Sequence, residues 1–181
     1  MKIALIGGIA CGKSTVLGLL REMGVSVENA DAIAKDVFWN PGVQARLRDA
    51  IRREPTPMGV REAIAANPEL RRTVNAITHP AILSGILSST AQVFEVPLLL
   101  ETAIQGHFDA IWTVVCDPEV QKQRLHERYG NGASDGLIQA QLSTKCKVAF
   151  ADAIIPTSGP LIETEKSLLE EAKRWALTLA V

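Results

Sequence analysis

The 181-residue chain has no uncharged apolar run long enough to cross a membrane, which excludes a spanning helix. Met1 leads within a few residues into an apolar run, so no signal or transit peptide is expected. An excess of charge of either sign is also lacking. Nineteen Lys and Arg face 20 Asp and Glu, for a formal net charge of −1. Nothing global therefore draws the chain to nucleic acid or an anionic membrane surface, and any basic site must be local. Cysteine is scarce. Cys11, Cys116 and Cys146 are scattered, odd in number and without metal-ligand spacing, which argues for free thiols and a reducing, cytoplasmic setting. Repeats and low-complexity tracts are absent, which excludes solenoids and arrays. With 47% hydrophobic and 22% charged residues, the chain reads as a soluble globular protein. Its length suits one core, with room for inserted subdomains.

Residues 3–15, IALIGGIACGKST, carry the strongest signal. Ile3 to Ile6 is an uncharged apolar run, the pattern of a strand buried on both faces. The chain then reads Gly7-x-x-x-x-Gly12-Lys13-Ser14, and Val16, Leu19, Leu20 and Met23 follow at helical spacing. A glycine-rich loop between a strand and a helix is the context that makes this motif a phosphate cradle rather than a bare turn. Its N–H groups can point into one concavity, and the helix N-terminus adds partial positive charge. In that setting Gly8, Ala10, Cys11, Gly12, Lys13, Ser14 and Thr15 would hold the phosphates of a nucleoside triphosphate. Lys13 would reach the β- and γ-phosphates, and Ser14 would bind Mg²⁺.

Further along, VSVE (25–28) reads as a second strand and Asn29-Ala30-Asp31 opens a helix. Asp31 thus lies just beyond a strand end, where open α/β sheets bind ligands, although an aspartate there also suits a plain helix N-cap. Asn40-Pro41-Gly42 is a turn, and from there to about residue 89 the chain reads as helical, rich in arginine. Most of these arginines suit solvated helix faces, while the block as a whole suits an anionic substrate. Arg61 follows a Pro-Thr-Pro-Met-Gly turn, and His79-Pro80 is expected to interrupt a helix.

Residues 92–96 (QVFEV) read as a third strand that ends near Glu95, a carboxylate that burial would penalise without a cation or donors. Mg²⁺ or its waters would be a natural partner. A fourth strand is expected at 109–116, followed by a helix that carries Gln121, Arg124 and Arg128. A polar break at 131–136 and a single helix over 137–150 complete a helix–turn–helix with the pattern of a mobile lid. ADAIIP (151–156) reads as a fifth strand, and one long helix from Leu161 closes the chain. Strands alternating with helices predict a five-stranded parallel α/β sheet with helices on both faces. The core would comprise residues 1–30, 90–118 and 150–181. An inserted helical acceptor region would span about 31–89, and a lid about 119–149. This is the outline of a small P-loop kinase, and it leaves the phosphate acceptor open.

The chain resembles the dephospho-coenzyme A kinase family from its first strand to its last. The family loop Gly-Gly-Ile-Gly-Ser-Gly-Lys-Ser-Thr stands here as Gly7-Gly8-Ile9-Ala10-Cys11-Gly12-Lys13-Ser14-Thr15. Its Ala-Asp pair is Ala30-Asp31, its His-Pro is His79-Pro80, and its Pro-Leu-Leu-x-Glu runs from Pro97 to Glu101. The lid motif Gln-x-x-Arg-x-x-x-Arg falls on Gln121, Arg124 and Arg128, a glutamine falls at Gln141, and the Ala-Asp before the last strand is Ala151-Asp152. The resemblance implies transfer of the ATP γ-phosphoryl group to the ribose 3′-hydroxyl of dephospho-coenzyme A. It implies catalytic roles for Asp31, Lys13, Arg124 and Arg128, and acceptor-side roles for Asp31, Arg61, His79, Pro97 and Leu98. Ser14 and Glu95 would serve the metal, and Thr157 would border the adenine. A monomer or weak oligomer is expected. A kinase for a nucleoside or nucleoside monophosphate, or a catalytically weak nucleotide-binding partner protein, are the alternatives.

The departures from the family pattern are specific. Ala10 and Cys11 replace Gly-Ser in the loop, and Glu95 replaces Asp. Leu137 stands where a lid arginine is frequent, and Thr157 replaces Asn. The segment before Arg61 is also short. At Ala10 the backbone must either keep φ negative or bear strain.

Overall fold

The computed structural model describes residues 1–130, 134–139 and 141–179. It divides into two compact units. One is Met1–Glu28 together with Thr90–Val181, and the other is Asn29–Ser89.

The first unit is built on a sheet of β1 (Ile3–Gly7), β2 (Val27–Asn29), β3 (Val93–Glu95), β4 (Ala110–Val115) and β5 (Ala153–Pro156), in the order β2-β3-β1-β4-β5. The β1–β3, β1–β4 and β4–β5 pairs are parallel. All five residues of β1 are buried, which is why its sequence is a continuous apolar run rather than an alternating one. Side chains divide between the two faces with period two. Ile3, Leu5, Val93, Trp112, Val114, Ala153 and Ile155 join one core with Val16, Leu19 and Leu20 of α1 (Lys13–Glu22) and Leu168 and Ala172 of the last helix, Leu161–Arg174. Residues of the opposite set, Ala4, Ile6, Phe94 and Thr113, are buried as well. On that side the Thr113 hydroxyl donates to the carbonyl of Lys147, in the helix Thr144–Ala149.

The strand order places a topological switch between β1 and β3. The chain leaves β1 toward one edge of the sheet and leaves β3 toward the other, so a crevice opens at their C-terminal ends. The loop at Gly7 and the carboxylate of Glu95, which pairs in register with Leu5, both lie at that edge.

The second unit is helical: α2 (Ala30–Phe38), α3 (Pro41–Ile51), α4 (Pro57–Ala66) and α5 (Pro68–Ser88). Val43, Leu47, Val60, Val74 and Ile77 form its core, with Phe38, Ile64 and Leu70 packed against it. The expected turn before Arg61 is instead the start of α4. Thr56 caps it by accepting from the Gly59 N–H at 3.0 Å, and Pro57 occupies the first position, where a missing N–H costs nothing. Nor does Pro80 break α5, which runs unbroken from Pro68 to Ser88. Proline removes one backbone bond, while Val74 and Ile77 before it and Ile86 after it are buried and keep both halves packed.

The remaining helices of the first unit are α6 (Pro118–Tyr129), α7 (Ser134–Gln139), α8 (Thr144–Ala149) and α9 (Leu161–Arg174). The single helix expected over 137–150 is therefore two, because Ser143 caps α8 by accepting from the Cys146 N–H at 3.2 Å. Residues 131–133 of the polar break expected at 131–136, and the side chain of Leu137, lie outside what is described, whereas residues 134–136 begin α7 rather than a break. α9 stops at Arg174, short of the expected length. Ala176 adopts φ 49°, and the Leu177 N–H returns to the Ala172 carbonyl at 2.9 Å, the left-handed closure that ends a helix and buries Leu177. Among the described residues no helix is long and apolar enough to cross a membrane.

Candidate active site

The cradle begins where β1 runs out. A Cβ on Gly7 would meet the Val114 carbonyl oxygen at 2.7 Å, so only glycine lets the chain turn away from β4 there. Gly12, at φ 89°, is the N-cap of α1 and supplies no side-chain cap. The first amides of α1 thus keep no capping side chain beside a helix dipole, the arrangement that favours an anion. Lys13 is buried, and its Nζ donates to the carbonyls of Gly7 (3.3 Å) and Gly8 (2.9 Å). Ser14 and Thr15 are exposed in the first turn. Ala10 takes φ 58°, so alanine bears a left-handed strain that glycine would not.

Two glutamines from distant segments hold this loop. Gln121 of α6 donates its side-chain amide to the Ile9 carbonyl at 2.8 Å, and Gln141 accepts from the Ile9 N–H at 3.0 Å. Ile9 is therefore held on both backbone groups by glutamines more than 100 positions away. The Thr157 hydroxyl is 2.8 Å from the Cys11 carbonyl and 3.1 Å from that of Val115. It is buried and turned onto the loop backbone. Arg124 donates to the Thr157 carbonyl at 2.6 Å, so it braces the 157 loop, whereas Arg128 is exposed with its guanidinium 5.3 Å from the Tyr129 ring centroid.

Beneath the loop lies a cation that gave no sequence signal. Lys147 is 1% exposed, its Nζ 3.3 Å from the Gly7 carbonyl and 3.7 Å from the Glu101 carboxylate. Glu101 also accepts the Leu142 N–H at 3.1 Å and so ties the segment after β3 to the segment before α8. Cys116, at the end of β4, donates its thiol to the Cys11 sulfur, the two 3.2 Å apart. That hydrogen bond, reinforced by the Lys13 charge against the opposing effect of burial, lowers the Cys11 thiol to about 7. The same bond, together with burial, raises Cys116. Glu95 is buried, and Pro97 and Leu98 follow it in a turn with Leu98 exposed.

Among the described residues no cluster of three His, Cys, Asp or Glu could cage a metal. A cation here would rest on one carboxylate, a serine hydroxyl and substrate phosphates, which is the habit of Mg²⁺. Asp31, Arg61 and His79, expected on the acceptor side, all belong to the helical unit. Asn29 accepts from the Asp31 N–H at 2.7 Å and is the N-cap of α2. Asp31 is therefore not the cap, and its carboxylate is exposed in the first turn. Arg61 is exposed in α4, and His79 is half-buried in α5.

A strand–glycine loop–helix cradle at the switch point of a parallel sheet, with a lysine at the helix start, defines a P-loop kinase. A family model described as dephospho-CoA kinase matches residues 1–163. The dephospho-CoA kinase of Carboxydothermus hydrogenoformans is 32% identical over 96% of this chain and 93% of its own. The chain belongs to the dephospho-CoA kinase family. Two solved structures share the fold. TT1252 from Thermus thermophilus has a TM-score of 0.84 at 22% identity, covering 98% of each chain. Dephospho-CoA kinase from Campylobacter jejuni has a TM-score of 0.74 at 20% identity, covering 97% of this chain and 98% of its own.

Proposed function

We propose that the chain transfers the γ-phosphoryl group of ATP to the ribose 3′-hydroxyl of dephospho-coenzyme A, giving coenzyme A and ADP. The observation that carries this reading is the uncapped N-terminus of α1, with Lys13 beside it, in a chain of this family. Phosphoryl transfer asks for positioning and charge neutralisation rather than covalent help. The loop from Gly8 to Thr15 binds the phosphates, and Lys13 leaves the Gly7 and Gly8 carbonyls for the β- and γ-oxygens. Ser14 and Glu95 would hold Mg²⁺, which would supply charge neutralisation at the phosphates. Arg124 and Arg128 face the moving phosphoryl from the lid, while Thr157 fixes the loop on the adenine side. Asp31 orients the acceptor hydroxyl and accepts its proton. Arg61, His79, Pro97 and Leu98 bind the acceptor. Residues 119–149 act as a lid over residues 1–30, 90–118 and 150–181, and 31–89 receive the acceptor. The chain works as a monomer or weak oligomer in the cytoplasm.

An ADP-release assay run with dephospho-coenzyme A, adenosine, AMP and no acceptor tests this. Turnover with dephospho-coenzyme A alone is expected. Turnover confined to adenosine or AMP would reassign the acceptor, and ATP binding without turnover on any of them would make the chain a nucleotide-binding partner protein.

A further inference from the structure

Two thiols the proposed chemistry does not use meet under the phosphate cradle. Cys11 lies within the loop and is 1% exposed. Cys116 follows β4 and is half-buried, so a small reagent meets the pair from its side and reaches the buried Cys11 sulfur past it. Their sulfurs are 3.2 Å apart, and a disulfide needs about 2.05 Å, so closure requires roughly 1 Å of travel. Cys116 follows directly on a buried strand paired on both sides. The strand before it anchors Cys116, so most of that travel is assigned to Cys11.

The surroundings of Cys11 make this consequential. A Cβ on Gly8 would come within 3.0 Å of the Cys11 sulfur, its N–H is 3.3 Å from the Gly8 carbonyl, and its carbonyl accepts from Thr157. A shift of the Cys11 side chain therefore drags the Gly8–Gly12 backbone, whose amides form the cradle. We propose that Cys11 and Cys116 are a modification site for hydroperoxides, closing to an intramolecular disulfide that withdraws the loop from ATP. The chemistry balances. The Cys11 thiolate attacks the peroxide, the O–O bond breaks, and Cys11 becomes a sulfenic acid as an alcohol or water leaves. The Cys116 sulfur then attacks that sulfur and displaces hydroxide, which takes the Cys116 proton as water. Two thiols are oxidised and one peroxide is reduced. Lys13 favours the first step by stabilising the thiolate. Cys146, half-buried on α8, is the internal comparator.

The inference rests on the loop being a nucleotide cradle, and its test separates the two. Full-length protein is treated with hydrogen peroxide, and ATP binding is measured by titration calorimetry alongside the non-reduced peptide mass. The expected result is a Cys11–Cys116 linked peptide and an ATP affinity lower by roughly tenfold or more, both reversed by dithiothreitol. Cys116→Ser, or Cys116→Ala if the serine variant folds poorly, should bind ATP as the untreated protein does and keep doing so after peroxide. Oxidation of Cys146 without the linked peptide overturns the proposal. So does a linked peptide with unchanged ATP affinity, or equal loss of binding in the Cys116 variants. Failure of the reduced protein to bind ATP would refute the nucleotide assignment and the consequence drawn from it, while the mass still decides the bond.

Discussion

Lys147 and Lys13 converge on one carbonyl oxygen: each ammonium lies 3.3 Å from the oxygen of Gly7, and both lysines are buried. If Lys13 turns to phosphate as proposed, Lys147 would still hold that carbonyl, with Glu101 balancing its charge at 3.7 Å. The loop's starting residue is thus fixed by a side chain 140 positions away.

Replacing Lys147 by methionine keeps the buried stem and removes the charge. It leaves Glu101 without its ammonium partner and removes one of the two lysines at the Gly7 carbonyl. A loss of about 1–3 kcal/mol is expected, toward the low end because Glu101 keeps some contact with water. Thermal melting should fall by several degrees, and ATP affinity at a temperature well below the transition should fall too. Unchanged ATP affinity would confine Lys147 to stability.

Ala10→Gly tests the strain in the cradle. At φ 58°, alanine carries a left-handed cost of about 1–2 kcal/mol, part of which glycine returns through its freer unfolded chain. A net stabilisation of roughly 0.5–1 kcal/mol by thermal or urea unfolding is expected. A destabilised variant would mean that the loop, rather than the residue, sets this conformation at no cost.

Asp31→Asn separates chemistry from nucleotide binding. The cap of α2 is Asn29, so the helix survives the change. Loss of the base should lower kcat by about 10²–10⁴-fold and leave the dissociation constant for ATP within about twofold. Equal losses in both would remove Asp31 from the role proposed here.

The parallel sheet and the loop were legible because both are local. A buried strand, glycines at fixed offsets and a helical period name themselves within 15 residues. Helix boundaries in the basic block were not, since Pro57 and Pro80 look alike in sequence. One sits at a helix start, where it is welcome, and the other inside a helix held by packing on both sides. The braces of the cradle were less legible still. Gln121 and Gln141 stood out only through the family pattern, and nothing in the sequence says that both reach Ile9. Lys147 looks like a surface lysine in TKCKVAF, and Cys116 like one more apolar residue of a strand. Their meaning comes from β4 lying beside β1, a pairing over more than 100 residues.

The pH dependence of thiol closure follows from the same pairing. Cys11 is lowered to about 7 by the Cys116 thiol and by Lys13. The thiolate is the reactive form, so peroxide closure should be slow below that value, rise through it and level off above it. Stopped-flow or quenched peptide mapping across that range reads the midpoint. A midpoint near the ordinary thiol value would show that the pair does not share its proton as described.

The identity of the phosphorylated atom tests the central claim most directly. The protein is incubated with ATP, Mg²⁺ and dephospho-coenzyme A, and the product is read by ³¹P NMR with coupling to the ribose protons. The expected result is one new phosphomonoester coupled to the ribose H3′ proton, formed in step with ADP. ADP accompanied only by free phosphate, or a phosphomonoester on any other hydroxyl, would contradict the account.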